Sequence, residues 1–348
     1  MLVAMLTAAD YQPPMWLRNP HLQSVLSTST LRRRRGLQAL LATGAVTTEQ
    51  ILDGGNGVRL QGWHSAMPGV QSRGLTLLLH GWEGSADSSY MRMAAAQLLQ
   101  AGFEVMRLNF RDHGDTHHLN EGIFHSNLLD EVVHAALDVS RRFASGPMTV
   151  GGYSLGGNFA LRLALHAPAR GLDLARAVAV CPVLDPAATM TEMERGLPFY
   201  HWYFQRKWRS SLQRKQVLFP QLHDYDDTVL SKGLRDLTGW LVERHTEFGS
   251  IDAYFDGYSI AGQRLGGLLV PADILMAEDD PVIPFGTFKD WQLPANARLE
   301  IAPWGGHCGF IENAACDSFA ERWVVQRVSA AATIGAGERA DTEATIAL

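Results

Sequence analysis

A serine flanked by glycines is the residue of this chain best placed to do chemistry. Residues 151–157 read Gly-Gly-Tyr-Ser-Leu-Gly-Gly, between the short run Met148–Val150 and the apolar stretch Asn158–Ala167. This is G-x-S-x-G in a strand–turn–helix setting, where Gly152 and Gly156 remove side chains that would collide as the chain turns. The turn holds Ser154 at its apex in a strained conformation, with its hydroxyl exposed. The N–H of Leu155 opens the helix, so an unpaired donor and the positive end of the helix dipole both face the serine. One segment thus supplies a nucleophile and half of an oxyanion hole.

A hydroxyl is a poor nucleophile until a base takes its proton, and the base needs a third group to fix its tautomer. In the matching sheet architecture the acid and the histidine follow the serine in that order, each in a loop after a later strand. Asp279-Asp280-Pro281-Val282-Ile283-Pro284 follows the strand-like Ile274–Ala277, and Gly305-Gly306-His307-Cys308-Gly309 follows Arg298–Ile301. His307 is the expected base, since its glycines allow close approach to the serine. Asp280, directly before the Pro-x-x-Pro turn, is favoured as the acid over its neighbour Asp279, whose alternative role is to orient the loop. The second oxyanion donor is expected after Leu75–Leu79, in His80-Gly81-Trp82-Glu83-Gly84, from the N–H of Trp82. His80 reads as a structural group. His113, His117, His118 and His125, interspersed with Asp112 and Asp115, match no zinc spacing and read as a polar loop at the rim of the site. No metal and no cofactor is expected.

The elements that must position these groups alternate from residue 46 onward. Val46–Leu52 and Val58–His64 flank a Gly-rich turn and read as a hairpin. Leu75–Leu79, Glu104–Leu108, Met148–Val150, Ala177–Cys181, Ile274–Ala277 and Arg298–Ile301 read as strands, and Met91–Ala101, Leu128–Phe143 and Phe310–Val328 as helices. The fold class is therefore α/β, with a mostly parallel sheet flanked by helices. About eighty residues from Pro186 lack a clear strand, which is too long for a plain loop, so 186–267 is expected to be a helical cap inserted into the sheet. Its aromatic run Phe199–Phe204 packs the cap or lines an apolar site. Residues 1–45 are expected to be an extension packed on the core, 46–185 and 268–328 the core itself, and 329–348 a disordered tail.

With 348 residues, 46% of them hydrophobic, the chain can bury a large core. A net charge of −6 gives no sign of nucleic-acid binding, and the dense basic run Arg32–Arg35 reads as a solvated turn. Three cysteines, Cys181, Cys308 and Cys316, are too few for a disulfide framework and fit a reducing, cytoplasmic setting. Met1–Tyr11 lacks the basic start of a signal peptide, and no uninterrupted apolar stretch is long enough to span a membrane.

Six segments occur in a telling order: Asn19-Pro20-His21-Leu22-Gln23, His80-Gly81, Asn109-Phe110-Arg111, Gly152 to Asn158, Asp279-Asp280-Pro281, and Gly306-His307-Cys308-Gly309-Phe310. Together, over residues 11–328, they resemble the YheT-like branch of the α/β-hydrolase superfamily. The Asn-Pro-His-Leu-Gln segment and the extended Leu-Gly-Gly-Asn are narrower signals than the serine motif. The resemblance implies a serine esterase or lipase for short- to medium-chain acyl esters or monoacylglycerols, with the triad at Ser154, Asp280 and His307. It also implies a small-molecule ester as partner and leaves room for peripheral contact with lipid. Some relatives pass the acyl group to an alcohol, and a catalytically silent binding protein on this fold is a further alternative. The chain departs from the pattern after Arg111, where Asp112-His113-Gly114-Asp115 replaces a small Gly-rich turn.

Overall fold

Short runs without a charged residue become the centre of the sheet. The computed structural model describes residues 5–346, with side chains as far as Ala332. The strands are β1 (Val46–Asp53), β2 (Arg59–Ala66), β3 (Leu75–Leu79), β4 (Glu104–Asn109), β5 (Met148–Tyr153), β6 (Arg176–Val180), β7 (Ala272–Ala277) and β8 (Ala297–Ala302). They form one sheet in the order β1-β2-β4-β3-β5-β6-β7-β8. β1–β2 and β2–β4 are antiparallel and every later pairing is parallel. Every residue of β3, β5 and β7 is buried, because helices cover both faces of a parallel sheet.

From β3 the chain crosses to β4 on one side, then returns to β5 on the other. The loops leaving β3 and β5 therefore lie side by side at the carboxyl edge, where open α/β sheets bind ligands. Here that pairing sets the His80–Gly84 loop beside Ser154.

The helices α1 (Pro20–Ser27) and α2 (Thr30–Ala42) precede the sheet; α3 (Ser89–Gln100), α4 (Leu129–Phe143) and α5 (Leu155–His166) connect its first half. Between β6 and β7 lie five helices: α6 (Pro186–Arg195), α7 (Pro198–Leu218), α8 (Asp227–Leu230), α9 (Leu234–His245) and α10 (Ile251–Tyr258). The chain closes with α11 (Phe319–Ile346), which packs with α2 against α3. Among the described residues no helix is long and apolar enough to cross a membrane.

Three expectations are corrected. The basic run Arg32–Arg35 is not a solvated turn but part of α2, and its periodicity turns Arg32 inward to pair with Glu321 of α11. Arg35 pairs with Asp317 at 2.9 Å. The final helix starts at Phe319 rather than Phe310, because Phe310 and Cys316 have positive φ (48° and 60°) and Ile311 pairs back onto Ser318. The segment from 329, expected to be disordered, continues α11 to Ile346 with Ala331 and Ala332 buried; residues 347 and 348 lie outside the described residues.

Candidate active site

β5 ends at Tyr153, and Ser154 takes φ 55° and ψ −121° before α5 begins at Leu155. Such a backbone costs on the order of 1–3 kcal/mol and persists only where its surroundings impose it. The glycines are the imposing constraint. A methyl group at Gly152 would run into the carbonyl of Gly156, and one at Gly156 into the carbonyls of Leu79 and His80. Asn158, one turn into α5, donates through Nδ2 to the carbonyls of Val183 (2.9 Å) and Tyr258 (2.8 Å), tying the serine turn to the end of α10.

The structure brings Ser154, His307 and Asp280 into one line. His307 Nε2 is 2.9 Å from Ser154 Oγ, and Nδ1 is 2.9 Å from Asp280 Oδ2 and 3.2 Å from Oδ1. Asp280 Oδ1 also accepts the N–H groups of Val282 (2.8 Å) and Ile283 (2.9 Å), so the carboxylate is fixed by the turn that follows it. Burial opposes charge on His307, but the Asp280 carboxylate, with the neighbouring Cys308, pushes the imidazole up to about 9. Asp279 faces elsewhere: its Oδ1 accepts the N–H of Gly306 at 2.9 Å, and burial raises its carboxyl to about 6. The two adjacent carboxylates thus divide the work, one meeting the imidazole and one holding the loop that carries it.

Gly81 lets the loop after β3 come close, since a side chain there would rest on Ser154 Cβ. Tyr90 Oη accepts the N–H of Gly81 at 3.0 Å, and His113 Nε2 accepts that of Glu83 at 3.1 Å. Lys207 from α7 donates to the carbonyl of Glu83 at 2.6 Å. Among the described residues neither Leu155 N–H nor Trp82 N–H donates to a protein acceptor, so both remain available. His80 is fully buried, exchanging bonds with the Gly81 carbonyl (2.7 Å) and the Phe110 N–H (3.3 Å), and burial holds it well below the ordinary imidazole range. It is a neutral structural brace. The other histidines separate: His113 braces the Glu83 turn, His117 bonds Ser211 at 2.8 Å, and His125 borders an apolar cavity.

Two cavities meet at Ser154 and His307. The first, about 150 Å³, is lined by Tyr90, Tyr153, Phe199, Tyr203 and Phe204 and reaches Lys207 and Glu83. The second, about 80 Å³, lies among Phe124, Met190, Met193, Trp208, Leu241 and Tyr254. Trp82 borders both; it stacks on Phe204 at 5.3 Å and meets Trp208 edge-on at 5.5 Å. The aromatic run of α7 therefore lines an apolar site as well as packing its own helix.

Sequence reasoning missed the residues that hold the His307 loop from the amino-terminal side. Asn19 caps α1 through Oδ1, which accepts the N–H groups of His21 and Leu22 at 3.0 Å. Ser24 Oγ then accepts the N–H of His307 at 2.8 Å. Gln23, fully buried, accepts the N–H of Ile311 at 2.6 Å and donates to Tyr11 Oη and the Leu17 and Ile311 carbonyls. The only signal was the Asn-Pro-His-Leu-Gln segment, which carries no chemistry of its own.

Residues 76–314 match the family described as alpha/beta hydrolase fold, and the chain belongs to that family. Within it the chain is a YheT-like α/β hydrolase. It is 25% identical to the Escherichia coli (strain K12) protein named "Putative esterase YheT", over 72% of this chain and 74% of that one. It is 24% identical to "Putative esterase slr0264" of Synechocystis, over 90% of this chain and 92% of that one. The Pyrococcus furiosus esterase Pf2001 shares the fold, with a TM-score of 0.57 at 15% identity over 85% of this chain and 93% of that one.

Proposed function

We propose that the protein is a serine hydrolase of carboxylic esters with short- to medium-chain acyl groups, monoacylglycerols included. One observation carries the reading: the Ser154–His307–Asp280 line stands beside the free N–H groups of Leu155 and Trp82. The esterase names of its relatives point the same way.

His307 takes the Ser154 proton as Oγ attacks the ester carbonyl, and Asp280 holds the imidazole and stabilises its positive charge. The two N–H groups receive the negative charge that develops on the carbonyl oxygen. His307 returns the proton to the departing alcohol, and water attacks the acyl-enzyme by the same route. The second cavity, apolar and beneath α6, α9 and α10, receives the acyl chain, and those helices act as a cap over it. The first cavity, which Glu83 and Lys207 help to line, receives the alcohol.

The separate alcohol chamber also favours a second reading, acyl transfer, because an alcohol held there competes with water for the acyl-enzyme. Product analysis of an ester with added alcohol distinguishes the two. The primary test is a p-nitrophenyl ester series with fluorophosphonate labelling on wild type and Ser154→Ala. Turnover and labelling are expected only in wild type, and equal activity in both proteins defeats the proposal.

A further inference from the structure

Cys308 follows His307 directly, and Cys181 follows the last residue of β6. Both are buried, Cys181 completely, and both stand at positive φ (56° and 44°). Their side chains cross: Cys308 Sγ points to the Val180 carbonyl at 3.6 Å, and Cys181 Sγ to the Gly306 carbonyl at 3.9 Å. Each thiol reaches towards the segment that carries the other. The ester chemistry uses neither.

We propose that this pair is a site of peroxide oxidation whose product, a Cys181–Cys308 disulfide, switches the neighbouring triad off. The switching half of the proposal rests on the esterase reading above. Cys308 borders the first cavity, so a small oxidant entering the site arrives beside this residue. Burial opposes its ionisation, but the neighbouring Cys181 side chain and the His307 imidazolium leave it below the ordinary thiol value, whereas burial lifts Cys181 well above. A reactive, reachable thiol beside a resolving partner is the arrangement of a redox-sensing cysteine.

The Cys308 thiolate attacks one peroxide oxygen, the O–O bond breaks, and the other oxygen leaves as hydroxide that takes up a proton to become water. Cys308 is then a sulfenic acid. The Cys181 sulfur attacks it, forming the S–S bond and releasing the oxygen as a second water. Two thiols are oxidised and one hydrogen peroxide is reduced.

A disulfide of about 2.05 Å is shorter than any contact between two free thiols, so the two segments must draw together. β6 is paired on both sides and held in the sheet. The shift falls on the loop at 305–309, and it draws His307 away from Ser154.

The test treats reduced wild type with hydrogen peroxide, maps its thiols by mass spectrometry, and assays ester turnover before and after dithiothreitol. Expected are a Cys181–Cys308 cross-link, Cys316 left as a thiol in its separate cluster with Leu17 and Ile311, and turnover down about 100-fold, restored by reductant. Cys308→Ala is expected to keep its turnover through peroxide, and Cys181→Ala to stop at a sulfenic acid on Cys308 that dimedone traps. Unpaired thiols, or a disulfide through Cys316, overturn the site. A Cys181–Cys308 disulfide with unchanged turnover overturns the switch. Reduced wild type without ester turnover defeats the esterase reading instead, and the mapping still decides the thiol chemistry.

Discussion

Ser24 Oγ accepts the backbone N–H of His307 at 2.8 Å, joining residues 283 positions apart in the chain. That bond sets the height of the imidazole over Ser154 from outside the sheet. Ser24→Ala is expected to lower kcat about tenfold with a smaller change in KM, since the loop loses its anchor while the second cavity, which Ser24 does not line, keeps its walls. A matching rise in KM would show Ser24 acting on binding instead. Gln23→Ala strips four hydrogen bonds from a buried cluster and is expected to cost ~2–4 kcal/mol of stability, read by thermal or denaturant unfolding.

The two adjacent carboxylates should separate in a pH profile. The base works as neutral imidazole, and the charge of Asp280 raises its pKa, so turnover climbs as pH rises towards about 9. Asp280→Asn removes the raising charge: the acid limb is expected to move to lower pH while kcat falls about 10⁴-fold. Asp279→Asn leaves the carboxylate at Nδ1 in place and should preserve the position of that limb. An unmoved limb in Asp280→Asn would assign the titration to another group.

Cavity shape sets chain length in this reading. Met193 lines the second cavity and is itself buried. Met193→Trp is expected to leave acetate esters nearly unaffected and to reduce kcat/KM for longer chains about tenfold or more. A uniform loss across the p-nitrophenyl series would place the acyl chain elsewhere.

Gly156 permits no side chain, since the carbonyls of Leu79 and His80 occupy the space a methyl group would need. Gly156→Ala is expected to fail to fold or to melt far below wild type. A well-folded variant with normal turnover would contradict the mechanical account of the serine turn.

The chemistry was legible in the sequence because the groups that meet at Ser154 sit in short loops beside strongly apolar strands. Order along the chain was enough to pair Ser154 with His307. The choice between Asp279 and Asp280 was not, since it depends on which way each side chain leaves the turn. The amino-terminal clamp was hidden for a different reason. Gln23 and Ser24 are common polar residues whose partners lie nearly three hundred positions away, and no local periodicity records that. Arg32 misled because a run of arginines suggests solvent until Glu321 is known to stand opposite it. The start of α11 was misjudged because the positive φ values of Phe310 and Cys316 are imposed by packing rather than by residue type.

In the order of synthesis α1 comes before the serine turn and the His307 loop after it, and that loop rests on α1. Ser154 can be shaped with β3 and β5 long before anything exists to activate it. The site becomes complete only when the later-made loop docks on the earlier-made helix. A chain that stops short of His307, or that lacks α1, then carries the serine turn without a working base, and competence to react reports that both segments are in place.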